Sequence, residues 1–465
     1  MKSQIYNGLV RFRPGSADLT HFLPDLAEEW GVSPDGLTWT FKLRRGVQFH
    51  HGYGEFSAED VKFVLDRLKG PESKLAAGYA HVREVRSKGP HEVTIHLSRP
   101  DPLFLLLVAN YQGGWMVSKR AVEERGKDFT FKPVGTGAFA FTEYVAGQKV
   151  VLARNEKYFR GAPAVAGIEF RIISDQGAAE RAFMAGELQV VTGLSEQQWI
   201  DRFQSRGDRV WALAPGVHVI LYFNMNHEPL KDRRVRQAIA HAINRKEIVD
   251  TLYGAAAQVI DASIVPPAYF GHITQGVARY EYNPDKARQL LREAGRTDLR
   301  LRMIQSNLKV QLDHVLLIQE QLRRVGIGLQ VEPVEHPVYH ERIRKDLNDL
   351  IAYSTLRAPD GALLLRWQIH STSAPPPTGQ MKGMNFGHYT GSDELIEKAE
   401  KGRSLDERRR YVEEVQRAVA RDVAAVPLYI WKYVFATSPK LDLGYDAKES
   451  LTFYLPVFET ARFVK

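Results

Sequence analysis

The 465-residue chain contains no cysteine, and it also lacks long apolar runs. The missing thiols exclude disulfide bonds, thiolate metal sites and cysteine nucleophiles, but they leave the redox compartment open. The longest apolar run, residues 103–109, is far shorter than the roughly 20 residues that a membrane-spanning helix needs. Residues 1–4 carry no hydrophobic segment of the signal-peptide kind. We therefore expect a soluble protein whose secretion signal has been removed.

Sequence motifs of the common catalytic sites are missing too. The chain contains neither a phosphate-binding P-loop, nor the HExxH pattern of zinc proteases, nor the GxSxG pattern of serine hydrolases. Residues 135–137 (GTG) lack the third glycine and the following helix of a dinucleotide-binding loop. No nucleophile, base and orienting group can be assembled from motifs. We expect no enzyme and no cofactor.

Histidine is the remaining candidate metal ligand, with fifteen residues in the chain. The adjacent pair His50 and His51 attracts attention first, but neighbouring residues of an extended chain point to opposite faces and rarely chelate one ion. On this basis the sequence predicts no metal site.

Net charge is +8, and 44% of the residues are hydrophobic. The arginine-rich segments 286–302 and 406–421 interleave acidic residues at helical spacing, which is typical of a solvated surface. No basic patch with interleaved aromatic residues indicates nucleic-acid binding. The length exceeds what one hydrophobic core usually supports, so we expect two or three domains.

The first part of the chain alternates turn, strand and helix signals. Residues 35–36 (DG) form a turn signal, and apolar side chains alternate with polar ones over residues 37–43, as in a strand with one buried face. Ser57 and Asp60 have the spacing of a capping box, and apolar residues then recur at helical spacing over 61–68. These signals favour an α/β protein.

The residue strings themselves carry a family resemblance. They lie at 5–10 (IYNGLV), 26–30 (LAEEW), 33–43 (SPDGLTWTFKL), 45–50 (RGVQFH), 52 (G), 57–61 (SAEDV), 133–139 (PVGTGAF), 155–161 (NEKYFRG), 221–226 (LYFNMN) and 229–239 (PLKDRRVRQAI). Together they resemble the extracellular solute-binding proteins of peptide, opine and nickel ABC importers, the oligopeptide-binding class known as family 5. The resemblance covers nearly the whole chain.

The resemblance implies a two-lobed α/β fold of the periplasmic-binding-protein kind, with an extra subdomain inserted in the first lobe. It predicts that lobe I comprises residues 1–20, 135–218 and 429–465, that the inserted subdomain comprises 21–134, and that lobe II comprises 219–428. Ligand would be held in the cleft between the lobes, which close over it.

One segment of the predicted cleft departs from the pattern of peptide-binding relatives. There an aspartate pairs with the α-ammonium of the ligand. In the matching segment of this chain, Pro359 and Asp360 align with the later part of the motif, and Arg357 stands where the aspartate is expected. An arginine offers a planar fork to carboxylate or phosphate, which predicts an anionic ligand. Two alternatives stay open: Asp360 is the anchor, or Arg357 pairs with an internal acid.

The resemblance also implies aromatic and polar cleft residues. Tyr79 and His81 match a segment that lines the cleft from the inserted subdomain, and Tyr353, Trp367 and Asn224 are further ligand-binding candidates. Large aromatic rings can supply apolar walls while a few polar groups orient the ligand.

We expect a periplasmic or extracellular monomer that captures a small polar solute, such as a peptide, an opine-like conjugate or another anionic ligand. It would deliver this solute to the transmembrane subunits of an ABC permease. A nickel or metal-chelate binder of the same class is the first alternative. The ligand-sensing domain of a regulator is the second, although no DNA-binding helix-turn-helix precedes Ile5.

Overall fold

The computed structural model describes residues 1–16, 18–73, 75–111, 113–355, 359–375, 383–450 and 455–464. Its helices are α1 Lys2–Ile5, α2 Ala58–Lys69, α3 Ala76–Tyr79, α4 Phe104–Val108, α5 Lys119–Arg125, α6 Gln176–Met184, α7 Gln197–Ser205, α8 Arg233–Ala242, α9 Arg245–Leu252, α10 Pro284–Glu293, α11 Lys309–Arg323, α12 His336–Arg342, α13 Gly361–Gln368, α14 Asp393–Lys401 and α15 Leu405–Asp422. Among the described helices, none is long and apolar enough to cross a membrane.

The strands form several separate sheets. They are β1 Val10–Phe12, β2 Phe22–Pro24, β3 Ala27–Val32, β4 Thr38–Leu43, β5 Val82–Ser87, β6 Glu92–Leu97, β7 Phe139–Val145, β8 Lys149–Arg154, β9 Gly167–Arg171, β10 Val190–Thr192, β11 Arg209–Phe223, β12 Ala257–Val259, β13 Leu299–Ser306, β14 Ile327–Val334, β15 Leu350–Thr355, β16 Ala425–Thr437, β17 Leu441–Asp442 and β18 Arg462–Phe463. The mixture of helices and strands confirms the predicted α/β class.

The predicted turn, strand and capped helix near the start are all present. Strand β4 lies in an antiparallel sheet of order β3-β4-β6-β5. Helix α2 begins after the predicted capping box, in which the Ser57 amide donates to Asp60 Oδ2 at 3.0 Å. Phe41 of β4 and Val61 and Leu65 of α2 are buried in the same hydrophobic core. The capping box and the apolar alternation therefore position one layer of this core.

A buried charge cluster joins distant parts of the chain. The fully buried Asp25 accepts hydrogen bonds from the Asn7 side chain at 2.8 Å and from Arg160. Arg160 Nε also donates to Glu459 Oε1 at 2.8 Å, and Glu459 accepts from Arg11 at 3.3 Å. Burial raises the pKa of Asp25, although Arg160 opposes this shift. These contacts support the assignment of the three segments 1–20, 135–218 and 429–465 to one lobe, whose boundaries stay a prediction.

Strands β11 and β16 form a long antiparallel pair. Near one end β16 also pairs with β10, through Thr437, and toward the other end β11 pairs with β15, through residues 218–223. The β11–β16 register shifts between Leu213 and Val217. Gly216 lies in this irregular stretch with φ +74°, and a Cβ there would lie 2.5 Å from the Trp431 carbonyl oxygen, so only glycine fits. The predicted lobe boundaries at residues 218–219 and 428–429 fall within these two strands.

The second half of the chain packs helices on both faces of this sheet. Along β11, Val219 and Leu221 face a core shared with α8 to α11, whereas Ile220 and Tyr222 face a core shared with α13 and α15. Strand alternation thus separates two helical layers. Strands β13 and β14 pair in parallel and are joined by α11, as expected for a βαβ unit.

The glycines of residues 135–137 serve close packing of the chain start. A Cβ at Gly135 would lie 2.1 Å from the Ile5 carbonyl oxygen, and one at Gly137 would lie 2.3 Å from that of Gln4. Between them, Thr136 Oγ1 donates to Asn7 Oδ1 at 3.0 Å. The sequence pattern therefore has a structural explanation that involves no nucleotide.

His218 of β11 is buried, and neither ring nitrogen has a hydrogen-bond partner. Burial, assisted by the nearby His272, lowers its pKa to about 3 from the ordinary value of 6.5. Above about pH 6.5 the ring is neutral in both folded and unfolded chains. As the pH falls from 6.5 toward 3, the unfolded chain binds a proton that the folded chain excludes, so the free energy of unfolding decreases.

We predict that His218→Met reduces this acid sensitivity. Methionine has a comparable volume and does not titrate, so the wild-type protein should lose about 2 kcal/mol more than the variant between pH 7 and pH 5. Urea denaturation followed by tryptophan fluorescence at both pH values measures this difference. The control is His21→Gln, because the His21 side chain is 83% exposed. An equal loss in wild type and His218→Met would contradict the assignment.

Candidate functional site

Tyr353, one of the predicted cleft residues, lines a polar cavity. The cavity has a volume of about 240 Å³. Its described lining consists of Gln305, Gln311, His314, His336, Tyr339, His340, Ala352, Tyr353 and Ser354. The ring of Tyr353 lies between His340, at 6.1 Å, and Phe386, at 5.1 Å between centroids. None of these described lining residues is acidic or carries a fixed positive charge.

Two lining residues present unsatisfied polar atoms. His314, 3% exposed, has no hydrogen-bond partner of standard geometry at either ring nitrogen, and burial lowers its pKa to about 4. Gln305 donates from its amide to the Gln311 carbonyl oxygen at 2.6 Å, but its Oε1 has no partner. Because buried polar groups are usually hydrogen-bonded, these atoms are available to a molecule in the cavity.

His336 and His340 lie one helical turn apart on α12, and their Nε2 atoms are 3.1 Å apart. Burial, His336 and the nearby Arg344 together lower the pKa of His340. Sequence analysis missed this pair, because a spacing of four residues brings two side chains together only if the segment is helical, and the helix over His336–Arg342 was not predicted. In the part of the chain that the structure describes, no three histidine, cysteine, aspartate or glutamate side chains are grouped so as to hold a metal ion.

Asp360, the alternative anchor, is 2% exposed and bonds to protein groups through both carboxylate oxygens. Its Oδ1 accepts from the Ala362 amide at 2.9 Å and so caps α13. Its Oδ2 accepts from Arg408 at 2.6 Å. Burial alone would lower the pKa of Arg408, but Asp360, Asp101 and Glu400 raise it above its usual value. In this structure Asp360 therefore stabilises a helix start and a buried cation.

Tyr79 and His81 lie inside the core of the predicted inserted subdomain. Tyr79 is 3% exposed and donates its hydroxyl to the Leu107 carbonyl oxygen at 2.7 Å. His81 Nε2 lies 3.1 Å from Asp101 Oδ2, within ion-pair distance but outside good hydrogen-bond geometry. Burial raises the pKa of Asp101, but His81 and Arg408 outweigh it, and the pKa is lowered. Asp101 is near enough to Arg408, the partner of Asp360, for the two charges to shift each other's pKa.

Direct contacts also cross between the predicted inserted subdomain and the predicted second lobe. Arg99 Nη1 donates to the Glu400 carbonyl oxygen at 2.9 Å, and Arg408 donates to the same oxygen at 3.2 Å. Phe270 packs into the core of the first region. The two regions therefore make polar and apolar contacts close to Asp360.

The remaining candidates lie elsewhere. Asn224 is 2% exposed, and its amide donates to Asp346 Oδ1 at 2.8 Å and to the Asn348 carbonyl oxygen at 3.1 Å. Trp367 lies on α13 and is 43% exposed. Arg357 lies outside the described residues. The ligand-binding roles of all seven candidates stay predictions, with Tyr353 lining the cavity described above.

Comparison with known proteins assigns the fold to a family. The family described as bacterial extracellular solute-binding proteins, family 5 Middle, matches residues 21–379. This chain belongs to that family.

Individual relatives bind peptides or opines. A di/tripeptide-binding protein 2 of Pseudomonas aeruginosa is 28% identical over 91% of this chain and 83% of its own length. The dipeptide-binding protein of Escherichia coli is 30% identical over 63% of this chain and 58% of its own length. MoaA of A. tumefaciens R10, whose structure is known in complex with mannopinic acid, has 34% sequence identity to this chain. The two structures have a TM-score of 0.85, and the match covers 100% of this chain and 94% of MoaA.

We predict that Asp360→Asn destabilises the protein even without ligand. Asparagine still caps a helix, so the variant isolates the loss of charge beside the buried Arg408. Removing one partner of a buried pair typically costs about 3 to 5 kcal/mol. Chemical denaturation of the apo protein measures the free energy of unfolding.

The added change Arg408→Met should restore part of the lost stability, because no uncompensated guanidinium remains. The exposed pair Glu394 and Lys398 supplies the control, since Glu394→Gln should leave stability unchanged. Stability of Asp360→Asn equal to that of the control variant would refute the structural role of Asp360.

Proposed function

We propose that this protein captures a small polar solute that carries a carboxylate, of the opine or short-peptide kind, between its two lobes and delivers it to an ABC permease. The observation that carries the proposal is the similarity to the mannopinic acid complex, which extends over the entire chain at 34% identity. The protein acts as a transport component, and we expect no catalysis.

The polar cavity beside Tyr353 supports an anionic or hydroxyl-rich ligand. Its described lining offers neutral donors and acceptors and no carboxylate to pair with an ammonium group. Arg344 lies outside this lining, and its charge adds to burial and to His336 in lowering the pKa of His340. A desolvated ammonium would gain little here, whereas a carboxylate could accept hydrogen bonds from imidazole, amide and phenol groups.

Ligand binding should compact and stabilise the protein. Mannopinic acid is the first probe, and the dipeptide Met-Leu is the comparison. At a hundredfold excess over the dissociation constant, a ligand that binds only the folded state adds about 2.7 kcal/mol. Small-angle scattering and thermal unfolding, each with and without ligand, test the two effects. An unchanged radius of gyration at saturation would count against closure of the lobes.

Arg357→Ala should weaken a carboxylate-bearing ligand more than any neutral one. If the guanidinium forms a buried pair with the ligand, its removal costs about 3 to 5 kcal/mol, or roughly two orders of magnitude or more in affinity. Arg357→Lys should restore part of it, because an ammonium cannot reproduce the planar fork. Calorimetry with mannopinic acid measures the affinities.

Tight binding of short peptides that survives Arg357→Ala would exclude Arg357 as the anchor of the ligand carboxylate. The ligand class would then be ordinary peptides. Asp360→Ala alone could not identify the anchor, because it also removes a helix cap and a buried ion pair; Asp360→Asn, measured on protein shown to be folded, is the informative variant.

A further inference from the structure

The histidine pair of α12 has the geometry of a metal chelate. The Nε2 atoms of His336 and His340 are 3.1 Å apart, and both rings are half-buried at the wall of the cavity. Two imidazole nitrogens on one Zn²⁺ or similar ion, each at about 2.0–2.1 Å, lie about 3 Å apart when they occupy neighbouring positions. One ion could therefore bind both rings with little movement of either side chain.

A neighbouring serine orients the first ring. Ser306 Oγ lies 3.0 Å from His336 Nδ1, and Ser306 is fully buried. If Nδ1 donates to this oxygen, the lone pair of His336 is at Nε2, which faces His340. Metal-binding histidines characteristically hold their second nitrogen in this way.

The cavity supplies an independent observation. His314 and Gln305 line it beside the pair, are buried, and present polar atoms without hydrogen-bond partners of standard geometry. Among the described residues no third ligand completes a metal centre. An ion held by two imidazoles would keep open positions toward the cavity, for water or for donor atoms of a bound molecule.

We propose that His336 and His340 form a two-histidine site for a divalent late transition-metal ion, Cu²⁺, Ni²⁺ or Zn²⁺, with open coordination positions facing the cavity beside Tyr353. Imidazole suits these ions, and Cu²⁺ binds most tightly among them. In the metal-free protein the same two nitrogens share one proton in a hydrogen bond, which the ion replaces. The site does not depend on which solute the cleft takes.

The test uses three copper probes with the full chain: CuCl₂, Cu²⁺–iminodiacetate and Cu²⁺–EDTA. We expect one equivalent of CuCl₂ or Cu²⁺–iminodiacetate to bind, and electron paramagnetic resonance to show coupling to imidazole nitrogen. Cu²⁺–EDTA should not bind, because the chelator occupies the positions that the imidazoles need. Tighter binding of Cu²⁺–iminodiacetate than of CuCl₂ would identify a chelated ion as the preferred form.

Variants locate the site. His336→Gln and His340→Gln should each lower the copper affinity at least tenfold and reduce the nitrogen coupling to that of one imidazole at most. His21→Gln is the matched control, because His21 is exposed and contacts Asp18 at 2.7 Å, an alternative surface ligand pair. Copper affinity and spectra unchanged in both α12 variants, or lost in His21→Gln, would overturn the proposal.

Discussion

The antiparallel pairing of β11 with β16 is the constraint on which the rest of the structure depends. Both strands extend from the part of the sheet that contains β10 to the part that contains β15. Backbone hydrogen bonding along the pair joins these two parts, and its register shifts at two points, between Leu213 and Val217, where Gly216 lies, and between Val219 and Ile220. A β-ladder bends more readily at such irregularities than elsewhere. This is the mechanical arrangement that closure over a ligand requires.

Buried charges fix the chain segments around this strand pair. Glu459, paired with Arg11 and Arg160, joins the three segments of the predicted first lobe, and Arg160 also pairs with Asp25 of the predicted inserted subdomain. Asp360 with Arg408 joins a helix start to α15. Asp25 and Asp360 also accept backbone amide bonds, from Gly8 and Ala362 respectively. Buried ion pairs add little net stability compared with apolar packing, but losing one partner is costly. Their contribution is therefore to make alternative arrangements of these segments unfavourable.

Local sequence patterns predicted helices and strands, but the role of a single residue depends on contacts with residues far away in the sequence. The Ser57–Asp60 capping box and the apolar alternation of β4 were readable because they involve neighbours in the chain. The partner of Asp360 is 48 residues away. No local pattern indicates such a pairing, so a motif that suggested a ligand anchor could equally be a helix cap.

The histidines also show that local sequence patterns do not identify which side chains come together. The adjacent pair His50 and His51 attracted attention in the sequence, yet His50 Nε2 contacts the Gly137 carbonyl oxygen at 2.9 Å and the two rings are 6.2 Å apart. The pair that does converge, His336 and His340, required knowing that a helix begins at His336. Spacing is informative about chelation only after the secondary structure is known.

The electrostatics of the cavity connect its two proposed occupants. Its described walls are polar but carry no fixed charge, so a bound carboxylate would be desolvated with hydrogen bonds alone to compensate. A divalent ion on two neutral imidazoles keeps its full charge and is the largest local charge in such a site. It would turn a neutral polar wall into one that attracts anions. That attraction acts through the open coordination positions of the ion. It therefore favours solutes whose carboxylate and amine groups can bind the same ion. The positive charge of the ion also repels ammonium groups, so no change in the position of an acidic residue is needed to exclude them.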